Sequence, residues 1–250
     1  MAELRVIPVS TSSEIRAGDS LVDELLAALL RKRSALVRGD ILVIKHKVVS
    51  KAEGRLVRLD TVEPSAESRA WGKRYKVDAR VIELALQESV NVIRRKNGVL
   101  ITETRHGLIC ANSGVDVSNV DGGEHALLLP ENPDRSAARF HRELKKRTGI
   151  SVPVIISDSF GRPWREGLTE VAIGVAGMKA IHDYRGRRDP HGYSLRVTLD
   201  AVADELACAA GLLASKLTRT PFVIIRGFPY ESGRGSSRSL LRPAAQDLFR

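Results

Sequence analysis

The chain has 250 residues, of which 43% are hydrophobic and 28% are charged, and its formal net charge at pH 7 is +10. This length and composition are typical of a globular protein with one large domain or two small ones. No run of about 18 apolar residues is present, and the first ten residues lack the pattern of a signal peptide, so no membrane partner is expected. With only two cysteines and no zinc-type spacing, we expect a reduced cytoplasmic protein.

The positive charge raises the question of nucleic-acid binding. Lys and Arg are spread along the chain, and the densest patch, "RGRRDPHGYSLR", is interrupted by Asp189. No RRM, zinc-finger or KH signature accompanies it. A solvated basic surface or a pocket for small anionic ligands explains the charge as well. We therefore expect no nucleic-acid partner.

The predicted strands and helices alternate loosely along the chain. The predicted strands are residues 4–9, 41–49, 98–104, 152–159, 170–178 and 221–227. The predicted helices are residues 20–36, 79–96, 131–149 and 199–217. The pattern, which contains no internal repeat, predicts a mixed α/β or α+β fold.

A first polar cluster, "KHKVVSKAEGR", comes at the end of the predicted strand 41–49. Lys45 and Lys47 are expected on one strand face, and Ser50 and Lys51 follow. Several cations and a hydroxyl at such a transition suit a phosphate chain. A strand end whose lysines reach into water explains the cluster equally well.

A second cluster, "ANSGVDVSNV", surrounds Gly114 with oxygen-bearing side chains. Asn112, Ser113, Asp116 and Asn119 are among them. Such a loop is suited to hold magnesium or manganese together with a nucleotide phosphate. An Asx-rich loop without a ligand is the alternative that composition alone favours.

The third cluster, "DSFGRPWREG", follows a strand predicted to be buried. Asp158 and Ser159 come directly after that strand, where sites of α/β proteins commonly lie. Arg162 and Arg165 are expected to neutralise phosphate oxygens, with Trp164 shielding the loop from water. The alternative is a loop held on the core by its aromatic residues, and the mixture of charges and breakers favours the functional interpretation.

A fourth cluster, around Asp183, Arg185, Asp189 and His191, gives no clear prediction. Histidines in such loops more often make loop hydrogen bonds than act as bases, and the adjacent acids Asp204 and Glu205 point to different faces of a helix. No Walker A loop, GxGxxG or GxSxG motif is present. A bound nucleotide would therefore be held by no standard phosphate loop.

Six separated motifs, in order, resemble those of the coenzyme F420-0:L-glutamate ligase family. They are "GDILVIKHKVVSKAEGR", "NSGVDVSN", "SDSFGRPWREG" with its continuation "EVAIGVAGMKAIHDYRG", "VTLDAVADELACAAGLL", "PFVIIRG" and "LLRPAAQDLFR". The resemblance runs from about residue 39 to the C-terminus. The flavin-type half of the two-domain actinobacterial enzymes has no counterpart here, so FMN is not expected.

The resemblance implies an activity and an architecture. A carboxylate of the deazaflavin precursor attacks the γ-phosphate of GTP, and the amine of L-glutamate displaces phosphate from the acyl phosphate formed. Two divalent ions, Mg²⁺ or Mn²⁺, are implied at the site, with K⁺ as a further candidate. The family fold has two α/β subdomains in an intertwined homodimer, and the sequence does not reveal the boundary between the subdomains.

The resemblance also implies metal-binding and catalytic residues. Asp116 and Asp158 match the metal-binding carboxylates, and Ser159 matches a hydroxyl beside a second metal. Arg162 and Arg165 match the "FGRPWR" signature, to which we assign a catalytic role on phosphate or carboxylate oxygens as a hypothesis.

A second set of residues is implied in GTP binding. Asn119 matches a nucleotide contact, Ser50 and Lys51 lie in the nucleotide-contacting segment, and His46 and Lys47 precede them. Two segments depart from the family pattern. "STSSEIRAGDS" replaces the usual Leu-Pro-containing segment, which leaves GTP and ATP both open, and Ser215-Lys216 replaces Gly-Gln or Gly-Lys.

Overall fold

A computed structural model describes residues 3–117, 123–214 and 219–248. Within these ranges the α-helices are α1 (Leu21–Arg31), α2 (His46–Ala52), α3 (Ala66–Tyr75), α4 (Ala79–Gln87), α5 (Pro133–Thr148) and α6 (Val202–Gly211). The first strands are β1 (Arg5–Val9), β2 (Ile41–Lys45), β3 (Leu56–Arg58), β4 (Ser89–Lys96), β5 (Val99–Thr104) and β6 (Ile109–Ala111). The later strands are β7 (His125–Leu127), β8 (Val154–Arg162), β9 (Arg165–Ala176), β10 (His182–Asp183), β11 (Leu199–Asp200) and β12 (Phe222–Arg226). The predicted mixed α/β fold is confirmed.

A five-stranded sheet in the order β1-β12-β2-β8-β9 forms the centre of the molecule. Strands β2 and β8 are parallel, and the other neighbours are antiparallel. Helices α1, α2 and α5 cover one face, and α6 covers the other. Because β2, β8 and β12 are buried on both faces, their sequences are nearly continuous runs of Val, Ile and Leu.

A separate cluster of buried side chains lies in the part of the chain between β2 and α5. The three-stranded sheet β4-β5-β6 and the pair β3-β7 are its strands, and α3 and α4 pack on each other beside them. Leu59, Ile82, Leu100 and Ala126 are among the side chains of this cluster. The division of the chain into two subdomains remains a prediction.

The predicted strand 41–49 is wrong beyond Lys45. The strand ends there, and His46–Ala52 forms helix α2. His46, Val49 and Ser50 are buried, a spacing of three and four residues that fits a helix and not a strand. Lys45 and Lys47 therefore do not share a strand face.

The predicted helix 79–96 is wrong beyond Gln87. Helix α4 ends at that residue, and Ser89–Lys96 forms β4, which pairs with β5. The segment after Glu88 contains Val90, Val92 and Ile93, whose β-branched side chains favour strands. Pairing with β5 therefore decided its conformation, and the apolar periodicity of α4 does not continue into it.

The segment "DSFGRPWREG" is a β-hairpin and not a loop. Strand β8 continues to Arg162, β9 begins at Arg165, and these two residues face each other. Pro163 and Trp164 form the turn, in which Trp164 has a left-handed φ of 57°. The breakers that predicted a loop are confined to the end of an extended strand pair, because ladder pairing continues up to the turn.

The last predicted helix is shorter in the structure. Leu199–Asp200 is a strand paired with His182–Asp183, and α6 ends at Gly211. Ser215 and Lys216 lie outside the described residues. None of the helices in the described part of the chain combines the length and apolar character that a membrane span requires.

Candidate active site

A cavity of about 720 Å³ lies at the carboxyl end of β2 and beside Ser157, Asp158 and Ser159 of the parallel strand β8. Six of the residues predicted for the site line it: His46, Lys47, Lys51, Asp116, Asp158 and Ser159. The lining also includes Ser13, Glu14, Lys45, Glu170, Gly211 and Arg219. The cavity lies at the carboxyl end of β2, and the end of a parallel strand is where α/β folds commonly bind ligands.

Helix α2 supplies two lysines to the cavity, and each contacts a carboxylate from a distant part of the chain. Lys47 Nζ lies 2.7 Å from Asp116 Oδ2. Lys51 Nζ forms an ion pair with Glu14 in the segment after β1. Because the helix begins at the end of β2, its first turns carry both ammonium groups to the strand end.

Asp158 lies against a buried histidine at the same edge. His46 Nε2 is 3.2 Å from Asp158 Oδ1, and His46 Nδ1 is 3.4 Å from the hydroxyl of Ser50. Ser50 is fully buried and does not line the cavity, so its side chain contacts His46 instead of a ligand.

Cys110 of β6 is also affected by Asp158. Burial, with the charge of Asp158 as a smaller cause, raises the pKa of the Cys110 thiol to about 12.

Glu170 forms a buried network beside Ser159. The Ser159 hydroxyl donates to Glu170 Oε1 at 2.6 Å, and the Ser157 hydroxyl donates to Oε2 at 2.8 Å. Lys45 Nζ forms an ion pair with the same carboxylate. A Cβ on Gly211 would lie 2.5 Å from Glu170 Cγ, so glycine there leaves room for the carboxylate.

The arginines of the hairpin do not line this cavity. Arg162 donates to the backbone oxygen of Glu166, and both Arg162 and Arg165 are exposed at the hairpin end. The Trp164 side chain is 83% exposed, so it does not shield the site from water as expected. Leu168 of the same hairpin does line the cavity, which places the hairpin at its margin.

In the second cluster, the serine and the aspartate have different surroundings. The buried Ser113 hydroxyl lies 2.8 Å from Thr102 Oγ1 and donates to the backbone oxygen of Ala85 at 2.6 Å. Asp116 pairs through its backbone with Leu127, which directs its side chain to the cavity margin. Asn119 lies outside the described residues. Ser113 thus fixes the loop, while Asp116 reaches the site.

The fourth cluster makes local contacts. Asp183 binds the guanidinium of Arg185, and Asp189 accepts hydrogen bonds from the backbone of His191 and Tyr193. These contacts close turns within one loop. None of these residues lines the cavity.

Sequence reasoning missed Glu170 as a site residue. The sequence places it only at the start of the predicted strand 170–178, because the residues before it predict a loop. In the hairpin register Glu170 faces Ser159 directly. Recognition of the strand pair would have placed an acidic side chain beside the predicted hydroxyl, since facing residues of a ladder share one side of the sheet.

Comparisons with known proteins assign the chain to a family. The family model described as F420-0:Gamma-glutamyl ligase matches residues 11–227. The chain belongs to this family. It is 42% identical over 252 residues to the coenzyme F420:L-glutamate ligase of Methanopyrus kandleri, a match that covers 99% of this chain and 98% of the relative.

Two further relatives of the same name extend the comparison. The ligase of Methanothermobacter thermautotrophicus is 44% identical over 250 residues, which are 99% of each chain. That of Methanocaldococcus jannaschii is 43% identical over 213 residues, which are 85% of each chain. The resemblance drawn from the six motifs is thus confirmed for the family.

F420-0:gamma-glutamyl ligases are expected to use a divalent metal, and the donor chemistry of this cavity fits one. Asp116, Asp158 and Ser159 offer the oxygen atoms that Mg²⁺ and Mn²⁺ prefer. Among the described residues, no group of three or more His, Cys, Asp and Glu side chains could hold a metal ion. The fit therefore concerns the donor type, and the protein's carboxylates would share an ion with oxygen atoms of the substrates.

The alternation of side chains along β8 separates two of these donors. Successive residues of a strand point to opposite faces, so Asp158 lies with His46 and Ser159 lies with Glu170. Asp158 and Ser159 therefore have different neighbours within the cavity, and the two divalent ions implied by the resemblance stay a prediction.

Proposed function

We propose that this protein joins coenzyme F420-0 to L-glutamate through an amide bond, with GTP as the energy source and Mg²⁺ or Mn²⁺ as cofactor. The observation that carries the proposal is a single cavity in which Lys47 opposes Asp116, His46 opposes Asp158, and Lys51 approaches from the same helix. Membership of the family and the names of its relatives support the choice of substrates.

The charge balance of the cavity supports the use of a metal ion. Lys45, Lys47 and Lys51 are each paired with a carboxylate, so their charges are already offset before a substrate enters. A nucleotide triphosphate, an acceptor carboxylate and L-glutamate all bring further negative charge. Divalent cations bound to the carboxylates would supply the positive charge needed to hold these anions together.

The proposed reaction has two steps. An oxygen of the acceptor carboxylate attacks the γ-phosphorus of GTP, the bond to the β-phosphate oxygen breaks, and GDP leaves. The amine of L-glutamate then attacks the carbonyl carbon of the acyl phosphate, loses a proton, and displaces inorganic phosphate. Repetition of these steps on the product would add further γ-linked glutamates.

The protein's contribution in this scheme is mainly electrostatic positioning. Lys47 and Lys51 lie where they can approach phosphate oxygens, and His46 Nε2 lies 3.2 Å from the Asp158 carboxylate. When bound, Mg²⁺ or Mn²⁺ would reduce repulsion between the phosphate chain and the attacking carboxylate. Fixed charges aimed at a developing negative charge are a usual source of rate enhancement.

The hairpin end is a candidate contact for the acceptor. Arg162 and Arg165 lie beside the exposed Trp164, and Leu168 connects this segment to the cavity margin. Cations next to an exposed indole suit a ligand that has both an aromatic ring system and a phosphodiester. The catalytic role predicted for the two arginines remains a hypothesis, and their position outside the cavity favours acceptor binding.

A homodimer is part of the proposal. Tyr193, Val197 and Leu199 expose 64%, 85% and 45% of their surface on the segment that includes β11. Large apolar side chains exposed on one segment are candidates for a protein interface. Light scattering would test this point, and a monomer at micromolar concentration would contradict it.

The function is tested by incubating the purified protein with F420-0, L-glutamate, Mg²⁺ or Mn²⁺, and either GTP or ATP. Mass spectrometry should detect products that are heavier by whole glutamyl units, with one GDP and one phosphate formed for each unit. Product with ATP instead of GTP would correct the nucleotide assignment. Absence of product with both nucleotides would contradict the proposal and favour another acceptor or a non-catalytic nucleotide-binding protein.

The acyl phosphate is tested separately with isotope. An acceptor labelled with ¹⁸O in the reacting carboxylate should transfer one labelled oxygen to the inorganic phosphate. Phosphate without label, formed together with the amide product, would contradict this intermediate while leaving the ligase activity intact.

A further inference from the structure

Glu170 is a buried acid that lies within the third motif, and the resemblance gives it no role in the site. Its residue is only 9% exposed, yet it lines the cavity. Its two carboxylate oxygens accept the hydroxyl protons of Ser159 and Ser157, and Lys45 neutralises its charge. We propose that Glu170 is a positioning residue that prepares Ser159 to bind a divalent cation.

Glu170 fixes the direction of the Ser159 hydroxyl proton. A serine hydroxyl has one proton and two acceptor lone pairs. Because that proton is donated to Glu170 Oε1 at 2.6 Å, only lone pairs remain to face the cavity. Such an oxygen can bind a cation but cannot donate to a phosphate oxygen. Glu170 thus makes Ser159 selective for positive charge.

Glu170 also offsets the charge of Lys45. Its ammonium contacts Glu170 and lines the same cavity as Ser159. Without the carboxylate, this ammonium would repel a divalent ion bound at Ser159, since like charges at short range interact strongly in a partly buried site. Glu170 removes this repulsion by pairing with the lysine.

The surrounding structure holds Glu170 in a fixed position. It faces Ser159 in the ladder between β8 and β9, and its backbone oxygen accepts a hydrogen bond from the Cys208 thiol at 3.1 Å. Gly211 at the end of α6 leaves space for its Cγ. A carboxylate confined in this way can orient a neighbouring ligand, as residues around metal ligands commonly do.

This inference rests on the proposed metal-dependent function and adds one residue to it. The ion is a hard divalent cation that also contacts nucleotide phosphate. Glu170 acts through Ser159 and Lys45, so its removal should weaken cation binding whether or not the acceptor is present.

The experiment measures Mn²⁺ binding by electron paramagnetic resonance in the presence of GDP, without acceptor. The variant Glu170→Gln keeps the size of the side chain, removes its charge and replaces one of the two acceptor oxygens by an NH2 group, so Ser159 and Ser157 no longer each have an oxygen to donate to. We expect its dissociation constant for Mn²⁺ to rise by about 10- to 100-fold, the usual effect of losing such a supporting contact. In the matched variant Lys45→Met, Mn²⁺ should bind as tightly as in the wild type or more tightly.

A folded Glu170→Gln protein whose Mn²⁺ affinity stays within twofold of the wild type would overturn the inference. So would a wild-type protein that binds no Mn²⁺ at this site. If Glu170→Gln fails to fold, Ser159→Ala provides the test, because it leaves the contacts of Glu170 with Lys45 and Ser157 in place. Unchanged Mn²⁺ affinity in Ser159→Ala would also overturn it.

The same samples separate this inference from the proposed function. A wild-type protein that adds glutamate, but whose Mn²⁺ affinity is independent of Glu170, contradicts only the role of Glu170. A wild-type protein that binds Mn²⁺ in a Glu170-dependent way, but forms no glutamyl product, contradicts only the proposed reaction.

Discussion

The ammonium of Lys47 lies 2.7 Å from Asp116 Oδ2 and connects the first turn of α2 to the loop after β6. These two residues come from polar clusters that are far apart in the sequence. Their contact places a predicted nucleotide-binding segment and a predicted metal-binding carboxylate in one cavity. The proposed function depends on this contact between Lys47 and Asp116.

Asp116→Asn tests the importance of the carboxylate. The substitution removes a negative charge that opposes Lys47 and is proposed to hold a metal ion. We expect kcat for glutamyl transfer to fall by about 100-fold or more, as for the loss of one strong electrostatic contact in a catalytic site. Asp60→Asn is the matched control, because Asp60 makes an exposed ion pair with Arg58. A rate for Asp116→Asn equal to that control would contradict the assignment.

Gly211→Ala tests whether Glu170 must occupy its observed position. The added Cβ would lie 2.5 Å from Glu170 Cγ, so the acidic side chain must shift. Alanine is a better helix former than glycine, so α6 itself should not be weakened. We expect Mn²⁺ affinity to fall with little change in melting temperature. Unchanged affinity would mean that Glu170 can move without consequence.

The hairpin arginines test the proposed acceptor contact. Because Arg162 and Arg165 lie outside the cavity, the double substitution to alanine should raise the KM for F420-0 by about tenfold or more, the loss expected for one or two charge-assisted contacts. The KM for GTP and kcat should change little. A large fall in kcat at saturating acceptor would instead support the catalytic role predicted from the sequence.

The thiol of Cys110 should be unreactive in the folded protein. Burial, assisted by the charge of Asp158, raises its pKa to about 12, so almost no thiolate is present at pH 8. Iodoacetamide at that pH should leave Cys110 unmodified in the native protein and should label both cysteines in denaturant. Labelling of native Cys110 at the rate seen in denaturant would contradict the burial of this residue beside the site.

Glu83 should make the protein sensitive to strong acid. Hydrogen bonds from the backbone and hydroxyl of Ser65 and from Ser68 lower its pKa to about 2, below the ordinary value of 4.5. Since the folded pKa is the lower one, the stabilisation is fully present above about pH 4.5 and is lost as the pH falls through 2.

The measurement is urea unfolding of the wild type and Glu83→Gln between pH 2 and pH 7. The variant should be less stable at pH 7, and the difference should shrink as the pH falls from 4.5 to 2. Glu63→Gln, at an exposed acid nearby, is the control. A stability difference that stays constant over this pH range would contradict the lowered pKa.

Sequence reasoning located the site but not its full construction. The buried strands were predictable, because β2, β8 and β12 are continuous apolar runs. Asp116 and Asp158 were predicted by their motifs, and the structure brings both to one cavity. Helix α5 was also predicted, with Pro133 at its first turn and Gly149 in a left-handed conformation after its end.

The remaining features depended on tertiary pairing. The segment His46–Ala52 contains β-branched residues directly after a strand, so its sequence favours continuation of the strand. In the structure it is a helix, and its buried side chains recur at helical spacing. The contact of Glu170 with Ser159 follows from the register between β8 and β9, which the sequence alone does not give. Gly and Pro in "DSFGRPWREG" predicted a loop, since the sequence alone does not show that a ladder continues up to a two-residue turn.

A comparison of the wild type with Asp158→Asn shows whether this cavity carries out glutamyl ligation. Both proteins are incubated with F420-0, L-glutamate, GTP and Mn²⁺, and the masses of the products are measured by mass spectrometry after equal times. We expect products extended by glutamyl units with the wild type, and almost none with a folded Asp158→Asn protein. Equal extension by both proteins would contradict the assignment of the reaction to this cavity.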